Sequence, residues 1–303
     1  MITTDKALSY QLTETAQHLM VSQWAMIWRR FRRNAAGVCG LTVVCILTLL
    51  AVSVPAFIPY NRAIDQDLAS ALEGPSLAHP FGVDELGRDL ADRILWGSRL
   101  SLMAGVVAVT ISLSIGTLLG VTSGFYGGRA DAVIMRIMDV MLAVPSILLA
   151  LAIVSVRGAG ITNAMVAVGI AAVPGYARLL RSVVLGVREL DFVLAARCLG
   201  QTSPGIIWRH IMPNAMGPVI VRSTLGVSEA ILATAALGFL GLGSRPPVPE
   251  WGAMLSGARD YVSSAPLVVA VPGLAIAVTV LAFNLAGDGL RDALDPLSQA
   301  GRR

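Results

Sequence analysis

Six stretches of this chain, at about residues 35–58, 99–125, 132–156, 160–180, 217–243 and 266–287, are long and apolar enough to cross a bilayer, which takes about 20 residues of helix. Inside hydrocarbon every backbone N–H and C=O must find its partner within the structure, so only helices and closed barrels span. Barrel strands show alternating hydrophobicity over about ten residues. Continuous runs such as LVVAVPGLAIAVTVLAF exclude that pattern. The expected fold class is therefore an all-α polytopic membrane protein with six transmembrane helices. A composition that is 55% hydrophobic and 14% charged over 303 residues agrees, because one soluble core has no use for so much apolar side chain.

The first apolar run is longer than a signal-peptide core and is preceded by a polar, amphipathic segment, so it is read as a retained anchor. Cys39, Cys45 and Cys198 have neither disulfide-framework nor metal-ligand spacing and are read as packing residues.

Arginines set the expected orientation, since positively charged loops stay on the cytoplasmic side. WRRFRR, with Arg29, Arg30, Arg32 and Arg33, stands just before the first run. The segment 59–98 carries Asp65, Asp67, Glu73, Asp84, Glu85, Asp89 and Asp92 against Arg62, Arg88 and Arg93. The segment 181–216 reverses the balance, with Arg181, Arg188, Arg197 and Arg209 against Glu189 and Asp191. The first is expected outside, the second inside, and both termini in the cytoplasm. Trp24, Trp28 and Phe31 share one helical face beside the arginines, as in a helix lying in the inner headgroup layer.

Within the inner segment, LAARCLGQTSPGIIWRHIMPN (194–214) is too polar to span and well suited to two short helices. Leu190, Val193 and Leu194 share a face, and Gly200 supplies a left-handed stop. Ser203 then caps a second helix with Pro204 at its first position. Ile206, Ile207, His210 and Ile211 give that helix a sided surface, and Pro213 disfavours helix at Met212. Apolar knobs with a cationic rim suit a groove on another protein.

AAR followed by Gly200, then HIMPN, resembles the EAA coupling motif of permease subunits in bacterial ATP-binding-cassette (ABC) importers, with Leu194 where the motif usually has Glu. HPFGVDELGRDLADRILWGSRLSL (79–102), AALGFLGLGSRPPVPEWGAML (235–255) and LAFNLAGDGLRDALDP (281–296) resemble the dipeptide, oligopeptide and nickel branch, in the smaller of its two permease types. The similarity spans roughly residues 25–298. It implies the type I importer permease fold. The expected division is a cytoplasmic or interfacial segment 1–34, a permease domain 35–298 and a tail 299–303, with a coupling loop at 181–216 and outer loops at 59–98 and 244–265.

The resemblance further implies a second, related permease, two ABC ATPase subunits that hold ATP and Mg, and an extracytoplasmic substrate-binding protein. Membrane lipid is the remaining partner, and nucleic acid has no part. The expected location is the bacterial inner membrane, and the expected cargo a dipeptide, oligopeptide or glutathione, with nickel or a metal chelate as the alternative. ATPase coupling is expected at Leu194, Ala195, Ala196, Arg197, Gly200, Ile207, His210, Ile211, Pro213 and Asn214. The chain itself contains no GxxxxGK[ST] phosphate loop, and no cofactor of its own is expected.

Ionisable residues within spans are functional candidates, because charge in hydrocarbon is costly. Glu229 and Arg222 lie two turns apart on one face, read as too distant to pair directly but pointing into one interior, either the pathway or a subunit interface. Thr234, where the family more often has an acid, and Asn284 join them as candidates. Arg136 and Asp139 are read as an intrahelical pair. Pro145, Pro174 and Pro272 are possible kinks, and Gly116, Gly120 and Gly124 form a ridge for close helix packing. Asp84, Arg88, Asp89, Pro247 and Trp251 are the expected contacts for a delivery protein at the outer mouth.

Two other classes fit less well. An ion-coupled secondary carrier calls for midplane ion ligands in paired halves, whereas Glu229 is the one firm acid. A membrane hydrolase calls for a nucleophile and base within reach. The chain has three histidines, two of them (His18 and His79) outside the spans, and neither HExxH nor GxSxG. No catalytic residue and no metal-ligand set is expected.

Overall fold

Apolar runs, glycines and prolines between them set the architecture. The computed structural model describes residues 23–294, so the tail 299–303 and His18 lie outside it. Among the described residues the secondary structure is helical apart from turns and one isolated bridge between Val83 and Asp89.

Helix α1 (Gln23–Phe31) is separate from α2 (Ala35–Phe57), because Asn34 caps α2 by accepting from the Gly37 N–H at 2.9 Å and donates to Asp292 across the bundle. An elbow results rather than one straight helix. Phe31 is buried against Gly37 and Gly289, Trp28 stacks on it 5.9 Å away, and the Trp24 side chain lies outside the description. α2 is peripheral and rests on α12 (Pro266–Leu294), where Gly40 meets the backbone of Ala282 and Ala286. Most of its surface faces outward. Cys39 and Cys45 are accordingly exposed, as is Cys198, which corrects the reading of these residues as packing groups.

The centre of the bundle is α4 (Leu90–Tyr126) against α7 (Ile161–Val187) and α10 (Met212–Phe239). The glycine ridge is what lets α4 and α7 touch. A Cβ at Gly116 would lie 2.4 Å from the Tyr176 Cβ, one at Gly120 2.4 Å from the Ala177 carbonyl oxygen, and one at Gly124 2.9 Å from the Val184 Cβ. Alanines 108, 164, 167 and 171 fill the same seam, giving dispersion contact without bulk.

Five helices are long and apolar enough to span, and a sixth crossing comes in two pieces. The expected single span at 132–156 is instead α5 (Gly128–Leu142) and α6 (Ser146–Arg157), bent by 90°. Pro145 caps α6 with ψ 133°, and proline drives the residue before it out of the helical region. Asp139 does not pair with Arg136 but with Arg178 of α7 at 2.6 Å, and Asp131 takes both nitrogens of Arg181 at 2.6 and 2.7 Å. Ion pairs between helices therefore tie the broken segment to α7.

The segment between α2 and α4, expected outside, is a folded platform, with α3 (Tyr60–Ile64) and a short 3-10 turn (Leu68–Ser70). Gly87 adopts φ +73°, and a Cβ there would fall 1.8 Å from the Asp67 carbonyl oxygen, so neither backbone nor space admits a side chain. A second outer helix, α11 (Trp251–Ala258), packs under the platform.

Candidate functional site

At the end of the bundle expected to face the cytoplasm, α8 (Asp191–Cys198) and α9 (Ser203–Ile206) flank a turn in which Gly200 takes φ +79°. The expected left-handed stop is present. The helix cap is Thr202 rather than Ser203. The expected break at Pro213 does not occur: the chain passes through a π turn at Ile207–Ile211 and continues directly as α10. A proline ring clashes with the carbonyl four residues back, and the wider π turn, in which the Met212 N–H reaches the Ile207 carbonyl, makes room for it. The predicted docking element is thus rigidly joined to a helix long and apolar enough to cross a membrane. No flexible hinge separates them.

Burial divides the predicted docking residues into two groups. Val193, Ala196, Ile206 and Ile211 are buried with Leu180, Val184 and Val219 in one apolar seam, where each of the larger side chains contributes about 1.5–3 kcal/mol. Ala196 and Ile211 therefore face the protein's own helices. The outward group is Leu190, Phe192, Leu194, Leu199 and Trp208, with Leu199 at 88% and Trp208 at 71% exposure. Ala195, Arg197, Gly200, Pro213 and Asn214 are also exposed, whereas Ile207 is half-buried.

His210 donates from Nε2 to the Gln201 amide oxygen at 2.8 Å, Asn214 donates to the His210 carbonyl at 2.6 Å, and Arg197 lies over the Phe125 ring at 5.8 Å. His210 thereby braces the turn around Gly200. Sequence reasoning missed Trp208 and Leu199, since the helical face pattern pointed to the isoleucines, which the seam consumes.

Midway along α10, Arg222 and Glu229 form a two-pronged ion pair at 2.8 and 3.0 Å. The expectation that they stand too far apart is corrected: seven residues are about 10.5 Å of helix rise, and two long side chains reaching toward each other close it. The Arg222 guanidinium rests on the Tyr176 ring at 5.5 Å, while the Tyr176 hydroxyl donates to the Arg222 carbonyl. The pair lies on an open face, with the Glu229 side chain 59% exposed. Thr234 and Asn284 do not share it. Thr234 is buried and donates to the Ala230 carbonyl, and Asn284 accepts from the buried Ser228 hydroxyl.

At the opposite end, expected outside, the candidate delivery contacts Asp84, Arg88, Asp89 and Trp251 are all buried. Asp84 sits between two guanidinium groups, 2.7 Å from Arg88 and 3.2 Å from Arg93, and accepts from the N–H groups of Leu86 and Arg88. Asp89 caps α4 and lies 2.7 Å from His79 Nδ1. Trp251 donates from its ring to the Ile94 carbonyl. Pro247 alone of the five is exposed.

Glu250, which sequence reasoning did not single out, is buried and caps α11 by accepting from Gly252 and Ala253 at 2.8 Å each. Burial pushes its carboxyl above the usual carboxylate range, against the pull of those two N–H groups. The glycines of GFLGLG make the room: a Cβ at Gly238 would lie 2.5 Å from a Glu250 oxygen. Among the described residues no group of three or more His, Cys, Asp or Glu side chains is placed to hold a metal ion.

Residues 116–298 match the family of binding-protein-dependent transport system inner membrane components, and residues 22–77 match the N-terminal transmembrane domain of oligopeptide transport permease C. The chain is 46% identical over 280 residues to the dipeptide transport system permease protein DppC of Alkalihalophilus pseudofirmus, covering 92% of each chain. It is 47% identical over 274 residues to the di/tripeptide transport system permease protein DppC of Pseudomonas aeruginosa, covering 89% of this chain and 90% of that one. Against the glutathione transport system permease protein GsiD of Escherichia coli the identity is 47% over 273 residues, covering 90% of each. Among solved structures, the inward-facing MetNI methionine ABC transporter aligns with TM-score 0.55 at 18% identity, over 67% of this chain and 96% of that chain. An amino acid ABC transporter aligns with TM-score 0.51 at 17% identity, over 66% and 94%. At those identities the likeness is one of fold.

Proposed function

The chain belongs to the family of binding-protein-dependent transport system inner membrane components, and from that membership we propose that it is one permease half of an ATP-driven peptide importer. It is a multi-pass membrane protein and a transport subunit rather than an enzyme; in this family ATP hydrolysis falls to separate subunits. In the proposed assembly a related permease completes the pathway, two ABC ATPases bind ATP and Mg beneath α8 and α9, and an extracytoplasmic protein delivers cargo. Both termini face the cytoplasm. The peptide cargo is supported by the names of the relatives, which are dipeptide, di/tripeptide and glutathione permeases.

The observation that carries the reading is the inner docking element. Phe192, Leu199 and Trp208 project outward from a seam closed by Val193, Ile206 and Ile211, and the element continues without a break into α10. Such a surface is shaped to fill a groove and to transmit its movement to a membrane helix as a rigid body. At the outer end, the burial of Asp84, Arg88, Asp89 and Trp251 shifts the proposed landing surface to the exposed Leu77, Phe81 and Pro247. The test is co-purification from native membranes through a tag on this chain. We expect a second permease and two ATPases to accompany it, and Trp208→Ala to lose the ATPases while keeping the permease partner. Recovery of the chain alone, moving solute without ATP, would support the carrier instead.

A further inference from the structure

The open face that carries Arg222 and Glu229 carries a second ion pair. Arg222 Nη2 approaches α7 at Gly175, 3.5 Å from where a Cβ would stand, and one turn further along α7 Arg178 pairs with Asp139 at 2.6 Å. Both pairs are open, with side-chain exposures of 30% and 59% for Arg222 and Glu229 and 53% and 50% for Arg178 and Asp139. Charge at this depth is too costly to face lipid, so the face opens on water or on protein.

Within the Arg222–Glu229 pair the charge is balanced, one arginine to one acid, whereas Arg136, exposed one turn before Asp139, adds a cation beside the second pair. At the Arg222–Glu229 pair a bare anion or cation therefore meets no net attraction, whereas a solute carrying both charges can replace each internal contact with one of its own. The dimensions suit a short peptide. The two side chains arise about 10.5 Å apart along α10, and an extended dipeptide spans about 7 Å. Beside the pair is a hollow of about 70 Å³ lined in part by Ser112, Tyr176 and Gly226. That is room for a hydrated head group, given about 30 Å³ per water.

We propose that Arg222 and Glu229 form a charge-neutral station that opens to take the carboxylate and ammonium ends of a zwitterionic peptide, resting on the permease reading above. Arg222, held on the Tyr176 ring, is the fixed arm and receives the carboxylate; Glu229, the more exposed, swings away to receive the ammonium.

The test uses the complete transporter, with its binding protein saturating, in proteoliposomes. Three dipeptides of similar size are compared: alanyl-glutamine, alanyl-glutamate and alanyl-lysine. Glu229→Gln leaves a lone cation, and we expect it to slow alanyl-lysine most, about tenfold relative to alanyl-glutamate. Arg222→Gln should reverse that order. Equal loss of all three by both variants in an assembled complex would overturn the station and make the pair a structural tie. Should Glu229→Gln fail to assemble, Glu229→Asp keeps the charge and withdraws it by one methylene. A loss for alanyl-glutamine that its N-acetyl form, which has no ammonium end, does not share then supports the proposal, and equal loss of the two overturns it. A wild-type complex that moves none of the three would overturn the peptide reading itself, and the station with it.

Discussion

The segment 84–93, proposed to lie outside the membrane, and the loop 190–211, proposed to lie inside, use their side chains in opposite ways. In the outer segment, five charged residues of a ten-residue stretch are folded inward, and Asp84 is shared by Arg88 and Arg93 with side-chain exposures of 4–5%. In the inner loop the charges stay out and large apolar groups are displayed, Leu199 and Trp208 among them. The difference follows from what each end must do alone. The outer end has to close over the helix ends within this chain, and paired charges with backbone contacts do so. The inner end has a sealed seam of its own and keeps a surplus of apolar surface that nothing among the described residues covers. In soluble proteins such a patch marks an interaction surface.

The sharpest way to break this comparison is Asp84→Asn. It keeps the shape but removes the negative charge between two buried guanidinium groups, leaving Arg93 without a carboxylate and Arg88 with Glu85 alone. Removing one member of a buried pair costs about 3–5 kcal/mol, so the apparent Tm of the purified protein should fall on the order of 10 °C. A shift as small as that of an exposed substitution would show that the outer network is dispensable and that its burial serves no structural end.

A smaller effect is expected at Glu250. Glu250→Gln keeps one acceptor but sets an amide N–H₂ against a buried backbone N–H of α11, now held by the carboxylate at 2.8 Å. An unsatisfied buried donor costs about 1–3 kcal/mol. The pH dependence has a definite sign. Burial raises the carboxyl above its unfolded value, so the native state binds the proton more tightly, and wild-type stability falls as pH rises from the unfolded pKa through the folded one. The glutamine variant does not titrate. Its deficit relative to wild type should therefore narrow between acidic and neutral pH, as read from paired Tm measurements, and a deficit that widens would mean the carboxylate is better solvated than its burial implies.

The apolar runs made the membrane helices legible, because backbone satisfaction in hydrocarbon leaves so few alternatives. The glycine ridge on α4 was legible for the same local reason: spacing alone puts Gly116, Gly120 and Gly124 on one face. What the sequence did not reveal depends on partners distant along the chain. Pro145 marks a break in its own letters, but where the first piece lies is fixed by ion pairs of Asp131 and Asp139 with Arg181 and Arg178 on another helix. The reach of Arg222 to Glu229 was missed because helix-face reasoning measures backbones, whereas the tips of two long side chains can meet. The outer acids were mistaken for surface because composition reports charge, not whether a buried arginine waits for it.

Leu199→Ser should have the least effect on stability and so gives the finest discrimination. Leu199 follows α8 at the Gly200 turn and is 88% exposed, so trimming it should change unfolding by less than about 0.5 kcal/mol, as for ordinary surface sites. Its effect should appear instead in retention of the ATPase subunits during purification, because a displayed apolar knob contributes when something covers it. Both readings are needed together. An unchanged Tm with weakened ATPase retention places the value of this side chain between subunits, the opposite of Asp84. A fall in Tm matching that of Asp84→Asn would instead mean that the loop depends on its knobs for its own fold, and the contrast between the two ends would disappear.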